Sequence, residues 1–209
     1  MRTRVKICGL TREQDIDAAV AAGVDALGFV FHPASPRAVG LDTAARLVAR
    51  VPAFVTSVGL FVDAEPGHIA EILRRVRLDL LQFHGREPPA ACAGFGRPWI
   101  KALAMRDGLD VEAAAADYQG AAALLLDTYD PVLAGGTGRR FDWDRVPPAL
   151  APRVILAGGL DAGNVAAAIA RVRPYAVDVS GGVEADKGIK DHRKINDFMQ
   201  GVCDGDRRR

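Results

Sequence analysis

The amino-acid sequence predicts a single-domain α/β protein, a (β/α)8 TIM barrel. Short runs of aliphatic and β-branched residues recur along the 209 residues, and a longer stretch with helical periodicity follows each of them. The strand runs are apolar throughout, as is typical of parallel strands covered by helices on both sides. Eight such units favour a closed barrel over an open doubly wound sheet, and the chain length suits the lower end of the range for barrels.

The first four units follow one another without a linker. Predicted strands span residues 4–7, 26–30, 55–61 and 78–83, and the helices after them span residues 12–22, 41–51, 66–76 and 88–93. Thr11 precedes the first helix as its N-cap, and Gln14 three residues later gives the spacing of a capping box. The third helix carries one apolar stripe, formed by Ile69, Ile72, Leu73 and Val76.

The last four units complete the predicted barrel. Their strands span residues 99–103, 122–126, 154–157 and 176–179, and their helical segments span residues 109–116, 143–150, 162–171 and 192–202. The helical signal is weak in the segment 143–150, and a long glycine-rich loop precedes it. No linker or shift in composition marks a second domain. We therefore expect residues 1–203 to form the barrel and residues 204–209 a short charged tail.

Composition excludes several classes of protein. Charged residues make up 25% of the chain and the net charge is +1, so neither a nucleic acid nor a membrane surface is an expected partner. The longest apolar run, residues 120–126, is far shorter than the about 20 residues that span a bilayer. Residues 1–6 are charged and do not resemble a signal peptide. Three cysteines without paired spacing favour a reducing compartment, so we expect a cytoplasmic protein.

Two glycine pairs point to an anion site. In a barrel of this kind the ligand site lies at the C-terminal ends of the strands, and the loops after strands seven and eight recurrently bind phosphate. Gly158 and Gly159 follow the seventh predicted strand, and Ser180, Gly181 and Gly182 follow the eighth. Glycines let backbone N–H groups approach an anion closely. Ordinary βα turns are the alternative, but glycine pairs in both loops favour phosphate.

Cys8 ends the first predicted strand and is a candidate base. A lone cysteine at the end of a strand usually belongs to the core. Period-two alternation, however, places Lys6 on the same side of the strand, where a lysine is unusual as barrel filling. An ammonium near the thiol would favour the thiolate and lower its pKa from the reference of about 8.5. Cys92 and Cys203 have no such setting and are predicted to be structural.

Three charged side chains at the same end of the barrel are candidates for contact with a ligand. Asp127 directly follows an apolar strand, where a carboxylate is costly to bury unless it is paired or functional, and this suits a general acid. Capping of a loop is the alternative role. Asp178 has the same ambiguity and could bind a substrate hydroxyl or nitrogen. Arg37 lies on a loop stiffened by two prolines and could bind a carboxylate bidentately, unless it is an ordinary surface arginine.

No metal or redox cofactor is expected. The four histidines, at positions 32, 68, 84 and 192, lack the i,i+4 pairing of a metal site, which disfavours a metal-dependent epimerase. Residues 135–138, Gly-Gly-Thr-Gly, lack the spacing and the strand–helix setting of a dinucleotide fingerprint. They are predicted to form a mobile loop near the substrate, with a plain flexible turn as the alternative.

Motifs along essentially the whole chain occur together in one known family. They are Val5-Lys6-Ile7-Cys8-Gly9-Leu10-Thr11, Gly28-Phe29-Val30-Phe31 with Ser35-Pro36-Arg37, Leu81-Gln82-Phe83-His84-Gly85, Leu126-Asp127, residues 135–138 with Phe141-Asp142-Trp143, Ala157-Gly158-Gly159-Leu160, and Asp178-Val179-Ser180 with Gly182-Val183-Glu184. In these residues the chain resembles the phosphoribosylanthranilate isomerases. The Lys-Ile-Cys-Gly motif joined to Ser-Pro-Arg is specific to that family, whereas many phosphate-binding barrels share the glycine loops.

The resemblance implies a cofactor-free aldose–ketose isomerase of tryptophan biosynthesis. Its reaction is an Amadori rearrangement of N-(5-phosphoribosyl)anthranilate to 1-(2-carboxyphenylamino)-1-deoxyribulose 5-phosphate. The resemblance implies that Asp127 is the acid that opens the sugar ring, that Cys8 is the base that removes the C2 proton, and that Arg37 binds the anthranilate carboxylate. It also implies a phosphate site formed by Gly158, Gly159, Ser180, Gly181 and Gly182.

The chain departs from the usual family residues at three positions. Gly181 stands where a second serine is usual, Asp63 where asparagine is common, and Phe83 where leucine is more usual. None of these departures touches the acid–base pair. Gly181 could loosen one phosphate contact.

Two other functions remain open from the sequence. The related barrel isomerase of histidine biosynthesis carries an aspartate where Cys8 stands, so the thiol argues against it. A barrel that binds a sugar phosphate without turnover would tolerate the loss of Cys8 or Asp127, and both are present. Family members occur as monomers and as homodimers, and the sequence favours neither.

Overall fold

A computed structural model describes residues 2–128 and 141–208. Its central feature is a closed barrel of parallel strands, each hydrogen-bonded to the next in chain order and the last to the first, which confirms the predicted fold. The strands are β1 (Arg4–Cys8), β2 (Ala26–Val30), β3 (Thr56–Phe61), β4 (Leu80–Phe83), β5 (Trp99–Ala104), β6 (Ala123–Asp127), β7 (Val154–Leu156) and β8 (Ala176–Val179). The glycine-rich residues 135–138 lie outside the described residues.

Helices follow the strands and cover the outside of the barrel. They are α1 (Glu13–Ala21), α2 (Leu41–Ala49), α3 (Pro66–Arg75), α4 (Pro89–Cys92), α5 (Val111–Asp117), α6 (Val165–Val172) and α7 (His192–Arg207). The helical segment predicted at residues 143–150 is wrong, because the structure has two short 3-10 turns there, at Trp143–Arg145 and Ala151–Arg153. Pro147 and Pro148 stand between these turns and prevent a continuous helix.

The start of α1 differs from the prediction. The N-cap is Arg12, and its side chain makes no capping hydrogen bond. Thr11, predicted as the cap, instead donates its hydroxyl to the carbonyl oxygen of Gly188 at 2.5 Å. A contact with a residue far along the chain therefore replaces the local capping box.

The closing helix α7 is longer than predicted, running to Arg207 instead of ending near residue 202. Residues 204–207 are therefore helical and do not belong to a separate tail. A Cβ added to Gly205 would lie 2.9 Å from Cβ of Ile169, so the missing side chain lets α7 pack closely on α6. Asp206 accepts hydrogen bonds from the backbone and the hydroxyl of Thr3, at 2.8 and 2.6 Å, and these attach the helix end to the start of β1.

Side chains alternate between the barrel interior and the helix-covered outside, as the period of a strand requires. Small and aliphatic side chains close the interior, namely Ile100, Ala102, Ala123, Leu125, Ile155, Ala157 and Ala176. Toward their C-terminal ends the strands carry buried polar side chains, namely Lys6 on β1, Gln82 on β4, Asp127 on β6 and Asp178 on β8. The alternation thus directs polar groups into the mouth of an apolar barrel.

A small antiparallel hairpin follows β8 and was not predicted. It consists of β9 (Glu184–Asp186) and β10 (Ile189–Lys190). Both Glu184 and Lys190 are buried. Within the described residues, no helix combines the length and apolar character needed to cross a membrane.

Candidate active site

The two predicted glycine loops form one cavity of about 300 Å³ at the C-terminal ends of the strands. It is lined by Asp127, Ala157, Gly158, Gly159, Leu160, Asp161, Asp178, Val179, Ser180, Gly181 and Gly182. All five residues predicted to bind phosphate therefore lie together. Four of the lining residues are glycines, whose backbone N–H groups can approach an anion closely.

Local geometry requires glycine at two positions of this cavity. Gly158 has φ +84°, a left-handed conformation that other residues adopt only with strain. A Cβ on Gly182 would lie 1.9 Å from the carbonyl oxygen of Leu160, so any side chain there would push the two loops apart. Asn164 adds support by donating its side-chain amide to the carbonyl oxygen of Gly159 at 2.9 Å.

A second, narrower cavity of about 70 Å³ adjoins the first, since Asp127, Asp178 and Ser180 line both. Its remaining lining residues are Cys8, Val30, His32, Ser35, Arg37, Leu60, Val62, Gln82 and His84. The structure therefore brings together, around one cavity, the predicted base Cys8, the predicted acid Asp127 and Arg37, which was predicted to bind a carboxylate. A molecule that extends through both cavities would contact the thiol, the Asp127 carboxyl group and the glycine loops together.

Lys6 lies inside the barrel beside the thiol, as strand alternation predicted. Its ammonium is 2.9 Å from Oδ1 of Asp178, and both side chains are buried. Gly28 on the neighbouring strand leaves room for them, because a Cβ there would lie 2.8 Å from Sγ of Cys8 and 3.1 Å from Nζ of Lys6.

The expected lowering of the Cys8 pKa is wrong. Burial of the thiol raises its pKa above the ordinary 9.0, and the nearby Lys6 charge only partly opposes this. The negative charge of Asp178, whose carboxylate pairs with Lys6, makes a smaller contribution in the same direction as burial. Although burial alone would lower it, the pKa of Lys6 lies above its usual value because Asp178 and Cys8 both favour the ammonium. In this buried setting the thiol form of Cys8 is therefore favoured over the thiolate.

The rate at which iodoacetamide alkylates Cys8 is accordingly expected to be low at neutral pH and to keep rising with pH above 9.0. The reason is that the thiolate is the nucleophile. Mass spectrometry of a digest measures the modification of each cysteine against pH, and the exposed Cys203 provides an internal standard. A Cys8 rate that has already levelled off at neutral pH would contradict the raised pKa.

Asp127 is held by two neighbours. Its Oδ1 accepts the backbone N–H of Thr128 at 2.8 Å, and its Oδ2 lies 3.2 Å from Nε2 of His84. His84 in turn lies 2.8 Å, through Nδ1, from Nε2 of Gln82. The predicted acid is therefore the end of a chain of side chains that begins inside β4.

Arg37 is already paired in this structure, which limits the predicted carboxylate clamp. Its Nε and Nη2 donate to the two carboxylate oxygens of Glu184 at 2.8 and 2.7 Å. Glu184 thus occupies the Nε–Nη2 edge of the guanidinium. Among the described residues, the N–H groups at the Nη1–Nη2 end are left for a ligand carboxylate.

Lys190 is a buried residue that sequence reasoning missed. Its ammonium donates to the carbonyl oxygens of Cys8 and Ser180, at 2.7 and 3.1 Å, and lies 2.9 Å from Oε1 of Glu184. It therefore attaches the end of β1 to the loop after β8 and to the partner of Arg37. No local sequence pattern predicts that Lys190 is buried at the site, because its contacts depend on the hairpin of β9 and β10, which was not predicted.

Sequence reasoning assigned no role in the site to Gln82 or His84. A usable signal was present, since a glutamine within an apolar strand is unusual and His84 two residues later lies on the same side. The buried pair formed by Lys101 and Glu87, at 2.7 Å, supports the loop that carries His84, because Glu87 also accepts the backbone N–H of Gly85.

Comparison with known proteins identifies close relatives. The family model described as N-(5'phosphoribosyl)anthranilate (PRA) isomerase matches residues 5–201. A protein of Chromohalobacter salexigens named N-(5'-phosphoribosyl)anthranilate isomerase is 63% identical over 201 residues, which are 96% of this chain and 94% of that protein. The protein of the same name from Thiobacillus denitrificans is 60% identical over 199 residues, which are 95% of this chain and 97% of that protein.

Solved structures of such proteins share the fold. The phosphoribosyl anthranilate isomerase of Thermotoga maritima is 40% identical, with a TM-score of 0.87 over 96% of this chain and 98% of that chain. A phosphoribosyl anthranilate isomerase in complex with reduced 1-(o-carboxyphenylamino)-1-deoxyribulose 5-phosphate is 38% identical, with a TM-score of 0.81 and the same coverage. Monomers generated from the dimeric Thermotoga maritima protein are 37% identical, with a TM-score of 0.81 and again the same coverage.

Proposed function

The chain belongs to the N-(5'-phosphoribosyl)anthranilate isomerase family, and we propose that its two adjoining cavities bind the two ends of one substrate. The protein is an aldose–ketose isomerase of tryptophan biosynthesis that converts N-(5-phosphoribosyl)anthranilate to 1-(2-carboxyphenylamino)-1-deoxyribulose 5-phosphate. The observation that supports our assignment of the site is that Asp127 lines both cavities while Cys8 and Arg37 line the narrower one. The phosphate occupies the glycine cavity, and the anthranilate carboxylate lies toward Arg37.

In the first step Asp127 acts as the general acid. It donates its proton to the ring oxygen of the furanose as the bond between that oxygen and C1 breaks. The anthranilate nitrogen supplies the electron pair that forms the C1=N bond. The carboxylate left on Asp127 is stabilised by the backbone N–H of Thr128, which lies 2.8 Å from its Oδ1.

In the second step Cys8 acts as the general base. Its thiolate takes the proton from C2, the C2–H electrons form the C1=C2 bond, and the C1=N electrons return to nitrogen. The resulting enolamine tautomerises to the ketone, with loss of the C2 hydroxyl proton and gain of a proton at C1. The Lys6 ammonium beside the thiol stabilises the thiolate, because it remains charged in the buried pair with Asp178. Neither step requires a metal or a redox cofactor.

Asp178 is proposed to bind the substrate as well as to pair with Lys6. It lines both cavities at the point where the ribose would lie. Its Oδ1 is engaged by Lys6, and the other carboxylate oxygen can accept a hydrogen bond from a sugar hydroxyl or from the anthranilate nitrogen.

Replacing Arg37 with alanine is expected to raise KM with a much smaller change in kcat, because the carboxylate it contacts does not react. Arg74→Ala, which removes an exposed arginine from α3, is the matched control. Steady-state kinetics on purified variants provide the measurement. An unchanged KM together with a reduced kcat would show that Arg37 does not act in carboxylate binding.

The direct test of the proposed function is a fluorescence assay that follows loss of phosphoribosylanthranilate with purified protein. We expect turnover without added metal or cofactor, and no turnover of the phosphoribosyl-aminoimidazole substrate of histidine biosynthesis. Turnover of that second substrate alone would favour the related barrel isomerase. Binding of product without turnover would favour a non-catalytic sugar-phosphate-binding barrel.

We also propose where and in what form the enzyme acts. The chain acts in the cytoplasm on a small phosphorylated molecule. It acts as one barrel domain, and the closing helix of that barrel includes residues 204–207. It acts as a monomer or a homodimer. Sedimentation across a range of concentrations distinguishes the two states.

A further inference from the structure

Gln82 and His84 form a buried connection from the barrel interior to Asp127. They are two residues apart at the end of β4, so strand alternation directs both side chains inward. Nε2 of Gln82 lies 2.8 Å from Nδ1 of His84, and Nε2 of His84 lies 3.2 Å from Oδ2 of Asp127. Gln82 is completely buried. Within residues 2–128 and 141–208, its Oε1 has no hydrogen-bond partner.

This arrangement fixes where the imidazole proton lies. An amide nitrogen only donates, so Nδ1 of His84 must accept from Gln82, and in a neutral imidazole the proton is then on Nε2. That N–H points at the Asp127 oxygen 3.2 Å away. A donor aimed at this oxygen favours the carboxylate, which is the form of the acid after it has protonated the substrate.

The opposite orientation of the amide is the alternative. Half a turn would direct Oε1 at a protonated Nδ1 of His84 and leave Nε2 of His84 as a bare acceptor facing Oδ2 of Asp127, which also only accepts when the acid is ionised. The turn would also place the amide N–H groups where Oε1 now lies without a partner among the described residues. The observed orientation therefore suits the carboxylate form of Asp127.

We propose that Gln82 is a positioning residue that sets the tautomer of His84 and thereby keeps its Nε2–H directed at Oδ2 of Asp127. Before ring opening, the amide donates to Nδ1, and Nε2–H of His84 donates to Oδ2 of the Asp127 carboxyl group. When Asp127 gives its proton to the ring oxygen, His84 keeps the same tautomer, and the same Nε2–H stabilises the carboxylate that forms. The proposal rests on the acid role of Asp127 proposed above.

Nitrogen-15 NMR of histidine-labelled protein tests the proposal without relying on activity, since protonated and bare imidazole nitrogens have distinct shifts. A His84→Asn variant assigns the resonance among the four histidines. We expect the Nε2–H tautomer at a pH where Asp127 is ionised. Gln82→Met should give a mixture of tautomers, and Gln82→Glu, whose carboxylate only accepts, should give a protonated Nδ1. Gln200→Met, on the outer helix α7, should change nothing.

Kinetics provide the second readout. We expect Gln82→Met to lower kcat by between about ten- and a hundredfold, as supporting residues of other sites do, with KM nearly unchanged. An unaltered His84 tautomer in Gln82→Met, or an Nδ1–H tautomer in the ionised wild type, would overturn the proposal. The tautomer of His84 in the wild-type spectrum tests the proposal even if the variants do not fold. Full activity of Asp127→Asn, in contrast, would overturn the proposed acid and leave the tautomer result standing.

Discussion

Asp127→Asn is expected to lower kcat by about 10²–10⁴-fold, the usual contribution of a positioned acid or base. An amide at this position keeps the size of the side chain and can still meet the N–H of Thr128, but it has no proton to give to the ring oxygen. Affinity for a reduced, unreactive product analogue should persist, because the substitution leaves the two glycine loops of the phosphate cavity unchanged. Single-turnover kinetics and calorimetric titration of the analogue measure the two effects separately.

The charge-matched control for this change is Asp107→Asn, which removes a carboxylate that is exposed to solvent. Its kcat should equal that of the wild type. Near-normal turnover by Asp127→Asn would mean that another group, or water, opens the ring. A loss of analogue affinity as large as the loss of kcat would mean that Asp127 acts in binding instead of proton transfer.

Cys8→Ser is expected to lower kcat by a comparable factor, about 10²–10⁴-fold. A serine hydroxyl fits the space but is a much weaker acid than a thiol, so even the adjacent Lys6 ammonium does not make it a base near neutral pH. With the C2 proton replaced by deuterium, the variant should show a full primary isotope effect on turnover, because removal of that proton becomes rate-limiting.

The control for the thiol is Cys203→Ser, at an exposed position on α7, which should retain full activity. Retention of wild-type turnover by Cys8→Ser would show that the thiol is a core residue near the site and takes no part in proton transfer.

The fold was predictable because each strand carries its own signal. Apolar runs of strand length occur eight times, and the observed strand bounds differ from the predicted ones by at most two residues. Helix ends were less predictable, since they depend on partners elsewhere in the chain. α7 extends to Arg207 because Gly205 permits close packing on α6 and Asp206 binds Thr3, and neither contact can be read from local periodicity.

The positions of the site residues were predictable for a related reason. In a closed parallel barrel the ends of all strands meet at one rim, so Cys8, Asp127 and the two glycine loops had to converge once the strands were correct. The electrostatics were not predictable in the same way. Strand alternation indicated that Lys6 would lie beside Cys8, but it could not show that the ammonium forms an ion pair with Asp178, which lies far along the chain.

The role of Arg37 shows the same limit. Its position on a stiff loop indicated a ligand contact, whereas its engagement by Glu184 depends on a hairpin with no local signal. Glu184 is in turn held by the fully buried Lys190. Pairing between residues distant in sequence therefore decides which groups of the site remain available to a ligand.

The account depends on one sugar reaching both Cys8 and Asp127, and a crystal structure with reduced 1-(o-carboxyphenylamino)-1-deoxyribulose 5-phosphate measures this directly. We predict the phosphate in the cavity formed by Gly158, Gly159 and the loop after β8, with the C2 atom within about 3–3.5 Å of the Cys8 sulfur. The hydroxyl that derives from the ring oxygen should contact the Asp127 carboxyl group. A phosphate bound elsewhere, or a sugar that meets only one of the two side chains, would contradict the account.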